Sequence, residues 1–443
     1  MNLDRRGFLA LGATTVAWSM LPRFALAASS PGDTRFLLVL LRGGLDGLHA
    51  LQPIGDPAFA ALRGTFAQAG SQPASLRLST DFALHGKLAF FAELYARNAL
   101  APVVAVAPPY RQRSHFEAQD CVENGMPGSS GATGWLNRCV AAMPGAKGLA
   151  LAAVMPLAMR GSGAVSTWSP SLDDDQVDPI LWQQLQLLYA ADTTLAASFR
   201  AIDTGMEGTT GARRGATGLR LPQALAAAAK FMAAPAGPRI GFVEDTGWDT
   251  HNGELGILDR KLAELDAGMK AFHDGAQPVW DNTVVAIVTE FGRTAAINGT
   301  GGTDHGTGGA AFLAGGAVKG GRVLGDWPGI GRAQLNEGRD LLATTDMRGL
   351  FKGVLREHLL VADAALAGPV FPDSAGVRRC PGWSGRCPAR GHHECPPQPG
   401  AAWQLTPAVV ASRLPMSCDN SARPCRVRYS VRPALIFRHT SGS

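Results

Sequence analysis

Residues 1–379 hold only two cysteines, Cys121 and Cys139, although the chain of 443 residues has seven. So few thiols exclude a disulfide-built scaffold and a CxxC zinc module for most of the chain, while the two present could still pair in an oxidising compartment. Excess charge is missing from the same stretch, which carries 33 basic and 34 acidic side chains. Basicity therefore gives no argument for nucleic acid as a partner. There is no Walker or dinucleotide pattern either. The glycines between residues 315 and 321 read as a turn, and no nucleotide cofactor is expected.

No apolar run is long enough to span a bilayer as a permanent helix. The first residues instead pair Arg5 with Arg6, continue into a modestly apolar run over residues 8–20, and close on Ala25, Leu26 and Ala27. That is the layout of a twin-arginine export signal, residues 1–27, with cleavage expected after Ala27. It implies the twin-arginine export machinery as a partner, no stable membrane anchor, and a periplasmic or secreted protein. N-terminal sequencing of the exported chain decides the point.

Residues 379–443 differ in kind. From Cys380 onward there are five cysteines, nine prolines, eight arginines, no lysine and two acids, Glu394 and Asp419. The chain's net charge of +5 belongs to this tail, which has no apolar periodicity and reads as a disordered basic arm, a disulfide or metal knot, or a translated frameshift, with disorder expected. Cys387 and Cys395, on either side of His392 and His393, do not make a paired ligand motif.

Residues 28–378 read as one α/β domain. Short apolar runs rich in Val, Leu and Ala recur at 36–41, 100–107, 149–156, 240–243, 283–288 and 310–314. Continuous rather than alternating apolarity predicts strands covered on both faces. Between them, Leu255, Leu258, Leu262, Leu265, Met269 and Phe272 recur at helical spacing. A second helix is predicted from Thr345, as N-cap, burying Met347, Leu350, Phe351, Val354 and Leu355. Alternating strands and helices predict a doubly wound, mostly parallel sheet, whose ligands bind beyond the carboxyl ends of its strands.

The residues that follow those strands carry the chemistry. Asp46 lies among glycines after the first strand, either as a ligand or in a plain Asp-Gly turn. After the second come Arg111, Arg113, Ser114 and His115: a nucleophile with anion-holding groups, or a helix capped by Ser114 with Glu117 completing a capping box. Asp249 and His251, two apart in a glycine-bounded turn, could both reach one cation, or Asp249 could cap the next helix. Glu290 ends a buried strand, where an unpaired charge is costly, so Arg293 is its alternative partner. Asp304 and His305 sit within glycines on both sides, the most specific chemical signal in the chain, read as a ligand pair or as a satisfied loop histidine. By contrast, His273 and His358 fall at predicted helix ends, where the dipole accounts for them.

Together with the paired arginines, the segments RGGLDGLHALQP, RSHFEAQD, TGWLNR, GWDTH, TEFGR, GGTDHG and AVKGG resemble a bacterial family of exported proteins, the domain of unknown function numbered fifteen-oh-one. The likeness runs from the signal to about residue 377. That family resembles the alkaline phosphatase and sulfatase superfamily, whose α/β fold holds one or two divalent metals at the carboxyl edge of its sheet. The resemblance implies zinc or manganese as cofactor, with Asp46, Asp249, His251, Glu290, Asp304 and His305 as the metal set. It implies a catalytic group of Ser114, Arg111, Arg113 and His115. Two features depart from the pattern: Asp249 and His251 are only two apart, and Phe291 stands where a second histidine ligand is expected. Family members continue past residue 378 differently, so the tail reads as a frameshifted extension, which resequencing decides.

The expected activity is divalent-metal-dependent hydrolysis of phosphate or sulfate esters, small or polymeric, in the cell envelope. The alternatives are a non-catalytic envelope binding protein that keeps the fold and at most one metal, and transfer chemistry on the same site, because a fold does not fix a reaction.

Overall fold

The computed structural model describes residues 33–67, 74–170 and 219–380. The expected export signal and all but the first two residues of the tail lie outside the described residues. Among the described residues, no helix is long and apolar enough to cross a membrane.

Eleven strands are described: β1 (Arg35–Leu41), β2 (Leu51–Gln52), β3 (Leu76–Arg77), β4 (Ala83–Leu84), β5 (Leu100–Ala107), β6 (Gly148–Leu151), β7 (Val165–Trp168), β8 (Ile240–Asp245), β9 (Thr283–Thr289), β10 (Gly309–Ala314) and β11 (Thr345–Asp346). The main helices are α1 (Gly47–Ala50), α2 (Phe59–Arg63), α3 (Ala89–Ala96), α4 (His115–Asn124), α5 (Trp135–Ala141), α6 (Leu221–Ala233), α7 (Glu254–Gly275) and α8 (Met347–Glu357).

Eight strands form one sheet in the order β11-β5-β10-β9-β1-β8-β6-β7, and β2, β4 and β3 form a small second sheet. In the large sheet β10 runs antiparallel to both its neighbours, while every other pairing is parallel. Fold class therefore follows the α/β pattern of the sequence.

Strand β1 shows why its run is apolar throughout. Leu37, Val39 and Leu41 belong to one core, and Phe36, Leu38 and Leu40 to the other, because successive side chains leave opposite faces. The first core is roofed by α3, α6 and α7, the second by α5 and α8 with Val122 of α4. On α7, Leu258, Leu262, Leu265, Met269 and Phe272 are fully buried, each contributing about 1.5–3 kcal/mol.

Three expectations change. Leu255 is only half-buried, and Glu254 takes the covered position at the head of α7. The run at 149–156 stops as a strand at Leu151. Helix α8 is capped by Asp346, whose side chain accepts from the Arg348 amide, and Thr345 lies one residue earlier, opposite Val106 in β11. Cys121 and Cys139 are buried as separate free thiols. Burial pushes the Cys139 thiol up to about 12 and that of Cys121 up to about 11, so neither is poised to react.

Candidate metal centre

Three connections at the carboxyl edge of the sheet converge. The turn after β5 leads into α4, whose first residue is His115. The loop after β8 carries Asp249 and His251 before α7 begins. The connection from β9 to β10 carries Asp304 and His305. Because β10 runs back antiparallel, that connection starts and ends at the same edge, which puts His305 beside residues that follow parallel strands.

The loops approach closely. A Cβ on Gly302 would fall 2.3 Å from the carbonyl carbon of His251, so only glycine fits there. The Thr303 amide donates to the Thr250 carbonyl at 3.1 Å, and the Glu254 amide to the Gly301 carbonyl at 2.9 Å.

In the centre, His305 Nε2 lies 2.9 Å from His115 Nε2 and 2.9 Å from His251 Nε2. Asp249 Oδ1 lies 3.0 Å from His251 Nε2 and 3.2 Å from His305 Nε2, and Asp249 Oδ2 lies 3.4 Å from His115 Nε2. Each imidazole has an acceptor at its other nitrogen. His115 Nδ1 donates to Glu290 Oε1 at 2.8 Å, His305 Nδ1 to the Arg113 carbonyl at 3.1 Å, and His251 Nδ1 to Asp304 Oδ1 at 3.3 Å.

Those acceptors place the proton of each neutral ring on Nδ1, which leaves three Nε2 lone pairs facing one another. Lone pairs at such distances repel unless a proton or a cation lies between them. The donor set therefore fits a divalent ion on chemical grounds: imidazoles oriented by acceptors behind them, with one carboxylate. One ligand atom each from His115, Asp249 and His305 lies within 4.8 Å of the others, and His251 adjoins Asp249 and His305 from the side. The Asp249 and His251 side chains are 42% and 43% exposed, so the centre opens to solvent.

The supporting residues explain the charges. Glu290 is fully buried, and burial alone would raise its carboxyl. The bonds from His115, from Gln119 at 2.8 Å and from the Gly43 amide at 2.7 Å outweigh that and hold it below the usual range. In return the Glu290 bond raises the His115 pKa against the opposing effect of burial. His305 is lowered, by burial first and then by His115. Burial would raise Asp249, but the buried Arg293 guanidinium, 2.7 Å from its Oδ1, brings it down. Phe291 packs against both His115 and His305, with ring centroids 4.7 and 5.0 Å away, and so wedges the two imidazoles.

The remaining candidates are distributed as follows. Asp249, His251, His305 and His115 share the centre, while Glu290 and Asp304 stand behind His115 and His251. Asp46 is elsewhere: it caps α1 by accepting from the Leu48 amide at 3.1 Å, and both its oxygens face the buried Arg63. Ser114 is the N-cap residue of α4 but makes no capping bond, so the box with Glu117 does not form. Glu117 instead accepts from the Tyr110 hydroxyl, to which Ser114 is also hydrogen-bonded. Arg111 donates to the Pro108 carbonyl, and Arg113 pairs with Glu337 at 2.7 Å and Asp340 at 3.0 Å. Gly253, not Asp249, occupies the N-cap of α7. Arg293 holds Asp249 rather than Glu290.

Sequence reasoning missed Gln119, which links Arg42 to Glu290, and the Arg113 carbonyl, which a backbone φ of 64° presents to His305. A left-handed arginine gives no signal in sequence. Gln119 lies on the His115 helix one turn further on, a spacing that would have revealed it.

Two measurements test the supporting shell. Glu290→Gln removes the charge that orients His115 and is expected to weaken ion affinity about 10–100-fold, read by metal titration, with little change in fold. Glu254 is fully buried at the foot of the same loops, where it accepts from the Thr250 hydroxyl at 2.8 Å. Burial, then the nearby Asp46 charge, pushes it up to about 8. The folded chain thus holds a proton that the unfolded chain releases above the ordinary carboxyl value of 4.5. Its contribution is complete below that value and is lost as pH rises towards 8, by at most about 1.4 kcal/mol per unit. Denaturant midpoints should fall between pH 5 and 8, and Glu254→Gln should flatten that slope.

No match is found among curated proteins. Among solved structures, the chain is similar to a sulfatase from Pseudoalteromonas sp., at 11% identity over 66% of this chain and 64% of that one, with a TM-score of 0.33. It is similar to an alkaline phosphatase superfamily protein from Vibrio parahaemolyticus, at 11% identity over 64% of this chain and 60% of that one, TM-score 0.34. A protein of glycosaminoglycan metabolism in Bacteroides thetaiotaomicron is similar at 9% identity over 78% and 75%, TM-score 0.38. The chain thus spans just under two-thirds of the first two, and likeness at this level fixes no residue role. The family model described as "Protein of unknown function (DUF1501)" matches residues 106–366, more than half of the chain, and the chain belongs to that family.

Proposed function

We propose that this protein is a divalent-metal-dependent hydrolase acting on phosphate or sulfate esters. The observation that carries the reading is the set of three Nε2 atoms and the Asp249 carboxylate converging at an open edge of the sheet, each ring with an acceptor behind it. A buried structural ion would not need the exposed face that Asp249 and His251 present. The ester class rests on the resemblance of the motifs.

A divalent ion held there would supply Lewis-acid neutralisation of charge on the transferred group. Three imidazoles with one carboxylate favour zinc over manganese. The chain's own residues do the rest. Glu290, the Arg113 carbonyl and Asp304 keep the three Nε2 lone pairs turned inward, and Arg293 keeps Asp249 ionised and oriented. Ser114, whose hydroxyl is not tied back to its helix, is the candidate nucleophile. Arg111 and Arg113 would hold substrate oxygens only by leaving their present partners.

That engagement favours a second reading, in which the protein binds a polymer or partner without cleaving it. Elemental analysis of the exported protein should find at least one zinc or manganese per chain. Cleavage of aryl phosphate or aryl sulfate esters should vanish with chelator and return with the ion. Less than one ion per chain defeats both the metal and the hydrolase, and a full ion with no cleavage of any ester leaves the binding reading. Export and envelope location belong to the same proposal and rest on the paired arginines.

A further inference from the structure

A second group of ligand-type side chains lies outside the centre described above. His49 comes from α1, His85 follows β4, and Asp259 projects from α7. One ligand atom from each of the three lies within 4.8 Å of the others. Both imidazoles are buried, at 2% and 6% exposure, and their ring centroids are 4.6 Å apart. His85 Nε2 faces Asp259 Oδ1 at 3.2 Å. His49 Nε2 is buried with no hydrogen-bond partner among the described residues. Leaving such an atom unsatisfied costs about 1–3 kcal/mol.

We propose that His49, His85 and Asp259 form a second cation site, separate from the first, taking a zinc-like divalent ion. Two imidazoles and a carboxylate from three separate elements are a donor set for such an ion, and the unpartnered His49 nitrogen gains a partner when it binds. Bonds of about 2.1 Å need ligand atoms within roughly 4.2 Å of one another. The Asp259 side chain, 35% exposed, provides the entry path, and binding draws His49 and its two partners together from their spacing of up to 4.8 Å.

The ring of His85 must change its tautomer. The Lys87 amide donates to its Nδ1 at 3.2 Å, so without an ion the proton lies on Nε2 and is given to Asp259. Ligation through Nε2 places that proton on Nδ1 and opens the long Lys87 contact. The ion would tie the small sheet and α1 to α7, so its role is to fix the scaffold beneath the first centre. The proposal is independent of ester hydrolysis.

The test is zinc titration of the metal-free full-length chain by calorimetry, with the bound ions counted by elemental analysis. The intact chain should take up two ions, and Asp259→Ala, a change at a partly exposed side chain, should take up one fewer. His49→Phe, which fills the same apolar space against Phe66, should do the same. If the first centre binds nothing, the intact chain holds one ion and loses it with Asp259→Ala. An ion count unmoved by both substitutions overturns the proposal.

Discussion

His305→Ala is expected to empty the first centre and to lower ester hydrolysis by well over the ~10–100-fold that changes behind a ligand produce. His305 Nε2 is the atom both other imidazoles face, at 2.9 Å each, and it also adjoins Asp249. Its removal therefore breaks every pairing in the set except those of Asp249 with His115 and His251. The fold should tolerate the change, because the His305 side chain is 25% exposed and its neighbours hold their places through backbone bonds. Ion content, cleavage rate and Tm measured on the same preparation check it. Full ion retention would show that the histidine only packs against Phe291.

Asp46→Ala should have the opposite signature. Its carboxylate and the Arg63 guanidinium are both 1% exposed, and among the described residues Arg63 otherwise donates only to the Thr294 carbonyl, at 3.2 Å. Removing the acid strands a buried cation, at a cost of about 3–5 kcal/mol. Part of that is recovered because Glu254, whose pKa Asp46 helps to raise, ionises more readily near Arg63 once the acid is gone. A clear fall in Tm with the ion still bound is the expected result. An unchanged Tm with loss of the ion would return Asp46 to the metal set that the family resemblance implies.

These two residues show where sequence was readable and where it was not. His305 stood out because glycines surround it and because strands with continuous apolar runs marked where the sheet's carboxyl edge must be. The runs at 36–41, 100–107, 240–243, 283–288 and 310–314 all became strands, since a sheet covered on both faces buries every side chain of such segments. Asp46 has the same kind of glycine surroundings, yet the glycines serve another purpose. A Cβ on Gly43 would sit 2.4 Å from the Asp249 amide nitrogen, and the Gly43 amide is needed by Glu290. The partner that claims Asp46 lies seventeen positions away on α2, and sequence spacing does not reveal such a pairing.

Glu290 was noticed for the right reason, a carboxylate ending a buried strand, but the sequence does not say that it grips the far side of an imidazole. Whether an acid touches an ion or the ring that touches it depends on a few ångströms of loop placement. The direction of β10 was equally hidden, because an apolar run carries no sign of which way it points. The pairing of His49 with His85 and Asp259 needed three elements brought together, and only His49 lies in one of the quoted motif segments.

Strand order gives the first centre one more property. Its residues hang from β5, β8 and the β9–β10 connection, and in the sheet β8 is separated from β9 by β1, the first of the described strands. The ligands span residues 115 to 305, and the frame that aligns them includes strands made at both ends of that interval and before it. Every such pairing is non-local and carries the loop-closure cost of a high-contact-order fold. A nascent chain that has not yet made β10 has every proposed ligand along its length without the strand that returns His305 to the sheet's edge, so an ion captured there would report that the central sheet has closed.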